Sequence, residues 1–156
     1  MNNITASVTM LIRKPLREVF NAFVEPRIIE KFWLKHASAP LAKDASVEWE
    51  FMVEGAVDTV KVTEFVEHQI IAFEWSDGIV VRMKFDLENK SDTRLSIAAT
   101  GFTGTDAPVQ AINATEGFAI VVCDLKSLLE TGQSGNMVRD KAILITADIT
   151  AEKAVG

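Results

Sequence analysis

Between residues 108 and 131 the sequence places Ala111, Ala114, Phe118, Val121, Val122, Leu125, Leu128 and Leu129 at steps of three and four. Gln110, Asn113, Asp124, Ser127 and Glu130 fall mostly on the other side. That spacing gathers the apolar side chains on one face of a helix. A helix of about twenty residues is roughly 30 Å long, so its apolar face needs a partner of similar reach. Most of the chain before it alternates instead of repeating at helical spacing, and the expected partner is a broad curved sheet.

The alternation begins at once. Ile4, Ala6, Val8, Met10 and Ile12 are interleaved with Thr5, Ser7 and Thr9, the period of a strand with one apolar face. Pro15 suits the first turn of a helix, and Leu16, Val19, Phe20 and Phe23 continue at helical spacing. Pro26 opens a second short helix through Ile28, Ile29 and Phe32. From Ala45 the period returns to two: Val47, Trp49, Phe51 and Val53 alternate with Ser46, Glu48, Glu50 and Glu54. Further strands are expected over residues 58–66, 70–75, 79–87 and 93–101, joined by short polar connections that suit antiparallel hairpins. The predicted fold class is α+β, with about six antiparallel strands wrapped around one long helix and two short helices after the first strand.

Residues 1–131 form the expected domain, and residues 132–156 are read as its C-terminal extension. Within the extension, residues 142–150 are β-branched enough to favour a strand, while Met137, Val138, Leu144 and Ala147 could also form a helical stripe.

Composition narrows the classes of function. A chain of 156 residues suits one domain with room for a sizeable core. With 22 acids against 16 bases the net charge is −6, which opposes partners whose binding depends on neutralising phosphate or anionic lipid. Nucleic acid and membrane surfaces are therefore not expected partners. The polar opening from Met1 to Ala6 lacks the pattern of a signal peptide, and the single cysteine, Cys123, suits a reducing compartment. Both point to the cytoplasm.

Several of these residues resemble the Hsp90 ATPase activator-like proteins of the START and birch-pollen-allergen superfamily. They are Val19, Phe20, Ala22, Phe23, Pro26, the run Glu30-Lys31-Phe32-Trp33, Glu48-Trp49-Glu50-Phe51, the ending Phe73-Glu74-Trp75, Phe85 with Thr93 and Leu95, and Gly117-Phe118. The likeness covers roughly residues 4 to 131. It implies a helix-grip fold, in which the sheet curls around the last helix and leaves a pocket that superfamily members use for apolar compounds. A related eukaryotic domain binds the heat-shock chaperone. The segment beyond Gly132 lies outside the usual pattern.

Trp33, Trp49, Phe51, Phe73, Trp75, Met83, Phe85, Phe118 and Val122 are the residues expected to face inward and to line a ligand pocket, although filling the core is the ordinary role of any one of them. Glu64 shares its parity with Val60, Val62 and Val66, so an inward carboxylate, useful as an acid, a base or an anchor, is weighed against a strand end open to water or paired with an arginine. Arg82 is expected on the outer face beside an acid such as Glu74. His36 and His68 lie far apart without ligand spacing, and no nucleophile elbow is present, so neither a metal, a cofactor nor a catalytic residue is assigned. Gly117, inside the long helix, implies either close approach of a strand or ligand or a tolerated weak point.

Three functions follow as expectations. The first is a non-enzymatic protein holding an apolar or aromatic small molecule. The second is a cyclase or hydrolase using Glu64. The third is a protein-interaction module, binding a chaperone or forming a homodimer through the extension.

Overall fold

The structure, a computed structural model, describes residues 3 to 155; Met1 and Asn2, which belong to the polar opening, and Gly156 lie outside the described residues. The order of elements is β1 (Ala6–Ile12), α1 (Leu16–Val24), α2 (Pro26–Ile29), β2 (Leu34–Ala37), β3 (Ser46–Phe51), β4 (Val57–Val66), β5 (Ile70–Glu74), β6 (Val80–Glu88), β7 (Asp92–Thr100), α3 (Ala107–Thr131) and α4 (Met137–Val155). The seven strands form one antiparallel sheet in the order β1-β7-β6-β5-β4-β3-β2. All but β1 follow a meander; β1 reaches its place beside β7 by way of the α1–α2 pair and the rest of the sheet. The sheet holds α3 against its concave side, as the apolar stripe requires.

One strand more is present than alternation revealed. Leu34 to Ala37 is only four residues long, buried at its two ends and exposed at Lys35 and His36, with a register shift between Leu34 and His36 where it pairs with β3. A bulge of that kind erases the period of two. The sequence therefore leaves the segment unassigned after a second helix expected to run through Phe32, which in fact ends at Ile29.

The extension is a helix and not the expected strand. Its β-branched residues carry only a weak preference, which packing overrides. Val138, Ala142 and Ile145 recur at helical spacing and line the space beside α3, and the Thr150 hydroxyl donates to the Thr146 carbonyl one turn back at 2.9 Å. A buried acid on the neighbouring helix anchors the start of α4. Asp124, 1% exposed, accepts from the Ser134 hydroxyl at 2.5 Å and the Gly135 amide at 3.1 Å through one oxygen, and from the Val138 amide at 3.1 Å through the other. Amides at the beginning of a helix have no partner within it, and a carboxylate is well suited to them. The α3 stripe explains neither this polar position nor its burial; the start of α4 explains both.

At its other side α3 is fastened to β1. Lys126 donates to the Leu11 carbonyl at 2.7 Å and to Glu130 at 2.6 Å, and Glu130 also accepts from the Arg13 amide at 2.9 Å. Burial alone would raise the Glu130 carboxyl, but the Arg13 amide, the Lys126 hydrogen bond and the two nearby positive charges together hold it below its ordinary value. A carboxyl lowered by folding stabilises the native state above its unfolded-state pKa, and that contribution is lost as the pH falls through the folded value. Glu130→Gln is expected to flatten the loss of stability on acidification, seen as a smaller drop in the urea midpoint from neutral to acid pH. An acid limb as steep as that of the unaltered protein would contradict this account.

Candidate functional site

The predicted inward residues divide into two groups in space. Trp49, Phe73, Met83, Phe85 and Val122 are all at most 2% exposed and fill the core. Phe85 belongs to the end near α1, with its ring centroid 5.2 Å from Phe20 and 6.0 Å from Phe23. Trp33, Phe51, Trp75 and Phe118 reach the wall of a cleft of about 470 Å³.

The cleft lies where the sheet, α3 and α4 meet. On the sheet side it is bounded by Phe51, the Met52-Val53 segment and Ala56 of the β3–β4 connection, and by Trp75 and Ile79 at the β5–β6 turn. Ala114, Gly117, Phe118 and Val121 of α3 form the floor beside them. Val138, Lys141, Ala142 and Ile145 of α4 close the side that remains.

Edge-to-face packing of the aromatic rings gives the sheet wall its shape. Trp49 sits below it, with centroids 5.1 Å from Trp33, 5.3 Å from Phe73 and 5.6 Å from Trp75. Above it Phe51 lies 5.5 Å from Trp75, and Trp33 lies 6.2 Å from Phe118. Offset and edge-on contacts satisfy the charge distribution of each ring, and a ring with neighbours on several sides has little freedom to collapse into the opening. The turn that carries Trp75 is itself tightly packed. The Trp75 amide donates to the Ile79 carbonyl at 2.9 Å, and a Cβ placed on Gly101 would lie 3.0 Å from the Gly78 carbonyl oxygen. Gly101 also has φ near +99°, a conformation that glycine adopts most readily. No larger residue fits there without displacing the hairpin.

Three charged residues line the cleft. Asp58 accepts from the amides of Thr59 at 2.7 Å and Ser76 at 3.3 Å, and Asp77 accepts from the Ile79 amide at 3.0 Å, so both carboxylates pin turns at the rim. Lys141 is paired with Glu116 of α3 at 3.0 Å.

Glu64 is not in the cleft. The register slips between Val62 and Glu64 where β4 pairs with β5, and beyond that slip the faces of the strand exchange. Val60 and Val62 are buried, whereas Glu64 has 42% of its side chain exposed and is bonded to Arg82 at 3.2 Å. Phe65 takes the inward place instead, with its ring 5.3 Å from that of Phe20. Of the two readings of Glu64, the arginine-paired one is what the structure shows, and its place among the pocket residues is corrected to an outer-face ion pair. Glu64, and not Glu74, is the partner of Arg82. His36 is exposed, 3.4 Å from Glu30, and His68 packs edge-on against Phe20.

Sequence reading missed the β3–β4 connection and all of the α4 wall. The α4 residues carried a usable signal, because Val138, Ala142, Ile145 and Ile149 follow a helical period. The alternative stripe through Leu144 obscured it; Leu144 is 61% exposed. Gly117 has neither a positive φ nor a close neighbour: a Cβ there meets nothing within 4 Å.

A curved antiparallel sheet that grips a long helix and leaves a cleft between them defines a helix-grip protein. The chain belongs to the Activator of Hsp90 ATPase homolog 1-like family, whose model matches residues 13–130. No curated protein matches the sequence. Among solved structures it is similar to a protein from Staphylococcus saprophyticus, with a TM-score of 0.75 and 23% identity over 84% of this chain and 95% of that one. It is also similar to the Aha1 dimer from Colwellia psychrerythraea, with a TM-score of 0.74 and 14% identity over 84% and 99% of the two chains. CalU16 from Micromonospora echinospora matches with a TM-score of 0.69 and 12% identity, covering 94% of this chain and 88% of its own. No described helix is long and apolar enough to cross a membrane.

Proposed function

We propose that this protein binds a small apolar or aromatic compound in the cleft between the sheet, α3 and α4, and that it does so without catalysing a reaction. The observation that carries this reading is the cleft itself, about 470 Å³ and walled by Trp33, Phe51, Trp75 and Phe118. Its size falls in the range of small-molecule sites, which are lined mainly by apolar and aromatic groups. The resemblance to a superfamily that holds apolar compounds in this position supports the same reading. The enzymatic alternative depended on an inward Glu64, and Glu64 sits on the opposite face of the sheet beside Arg82.

The charges at the rim favour an uncharged ligand. Asp58 and Asp77 both keep their carboxylates there, and the one positive side chain among the lining residues, Lys141, is already neutralised by Glu116. An anionic ligand would meet two like charges in a confined space and find no free cation among those residues to offset them.

A titration with N-phenyl-1-naphthylamine, which is neutral and fluoresces in apolar surroundings, is expected to saturate and to move the amide resonances of residues 51–56, 75–79, 114–121 and 138–145. The anionic 1-anilinonaphthalene-8-sulfonate is expected to bind at least about fivefold more weakly, a difference near 1 kcal/mol. Saturation without any shifts in those segments would remove the cleft as the site. Equal or tighter binding of the anion would remove the rim argument.

A further inference from the structure

The cleft has a wall that the family-matched residues 13–130 do not supply. That wall is α4, and three independent contacts hold it in place. Asp124 binds its start through Ser134, Gly135 and Val138. Lys141 reaches Glu116 one turn further on. Thr146 then accepts from the Glu54 amide at 3.3 Å, tying the helix to the β3–β4 connection on the opposite side of the opening. The helix therefore bridges the mouth from α3 to the sheet. Along it Val138, Lys141, Ala142 and Ile145 line the cleft, while Ile143 and Leu144 are 59% and 61% exposed on other faces.

Resting on the reading of the cleft as a ligand site, we infer that α4 is its specificity-determining wall. Ile145 and Ala142 limit the size of the apolar compound it takes, and Asp124 acts as the positioning residue that sets where the wall stands. The other walls are stiff: the sheet side is braced by its ring network, and α3 is fastened to β1 through Lys126 and Glu130. Of these surfaces α4 is the one whose residues can be exchanged without disturbing the central core, because among its described side chains Ala142 is the only buried hydrophobic one. Asp124 is otherwise an expensive choice for the interior, since a buried carboxylate is tolerated only when it is hydrogen-bonded. Its three donors all come from the turn and first residues that deliver α4 to the cleft.

The test compares a larger neutral probe, N-phenyl-1-naphthylamine, with a smaller one, 2-naphthol, on the full chain. Ile145→Trp is expected to shift the ratio of the two affinities toward the smaller probe by about fivefold or more, and Ile145→Ala to shift it the other way. Leu144→Trp adds the same bulk on another face and is expected to leave the ratio within about twofold. Asp124→Ala is expected to shift the ratio toward the larger probe, as Ile145→Ala does, and Asp124→Asn, which keeps an acceptor oxygen, to restore part of the original ratio. A simple loss of stability would lower both affinities together and leave the ratio alone.

If the unaltered protein binds both probes but Ile145→Trp and Leu144→Trp behave alike, α4 is not the specificity wall, and the cleft reading survives. If the unaltered protein binds neither probe, the cleft reading fails and this inference fails with it.

Discussion

Replacing Trp49 with alanine is expected to cost about 3–5 kcal/mol of stability, the range seen when a large buried aromatic is removed from a core, and to lower the melting temperature by roughly 10 °C or more. Trp49 is 1% exposed, and its ring has edge contacts with Trp33, Phe51, Phe73 and Trp75. Three of those four also shape the cleft wall, so the cavity left behind cannot close without moving Trp33, Phe51 or Trp75. The loss therefore combines the transfer of the indole, the empty volume and the broken edge contacts. Unfolding followed by circular dichroism in urea would measure it, and a cost under about 1 kcal/mol would show that the ring network is not what holds the sheet wall.

The second expected result separates stability from binding at a single position. Gly117→Ala should raise stability by up to about 1 kcal/mol, because glycine is a poor residue inside a helix and nothing stands where the new methyl would go. Gly117→Phe should leave the fold intact and weaken N-phenyl-1-naphthylamine by about tenfold or more, the equivalent of 1.4 kcal/mol, since the ring would occupy space that Gly117 now leaves beside Phe118 and Ala114. No turn, positive φ or neighbouring backbone calls for glycine here. What its missing side chain provides is room in the cleft. Unchanged affinity in Gly117→Phe would contradict that assignment, and a destabilised Gly117→Ala would mean that the helix needs the glycine for itself.

The aromatic set shows how far a sequence can be read. Alternation placed Trp49, Phe51 and Phe73 on the concave side, and the structure agrees about the side. Depth was another matter: Trp49 and Phe73 are sealed in the core, while Phe51 on the strand of Trp49 and Trp75 just past the strand of Phe73 stand at the opening. Parity reports which face a residue is on, but whether it is covered depends on what lies above it. For Glu64 even the face was hidden, because a one-residue slip inside β4 reverses parity without leaving a mark in composition.

Apart from β2 and the slip inside β4, residues 4 to 131 thus carried their own architecture in local patterns. Periods of two and of three to four, with prolines and polar turns between them, are enough to specify strands, two short helices and the long helix that the sheet must cover. The tertiary structure alone decided that the last segment is a helix, that Asp124 is buried to anchor it, and that four of the nine inward apolar residues face a cleft. Each of these depends on contacts between residues distant in the chain, such as Glu54 with Thr146 or Trp33 with Phe118. A periodic pattern records which side of an element avoids water; it does not record whether a neighbouring element or an open space provides the shelter.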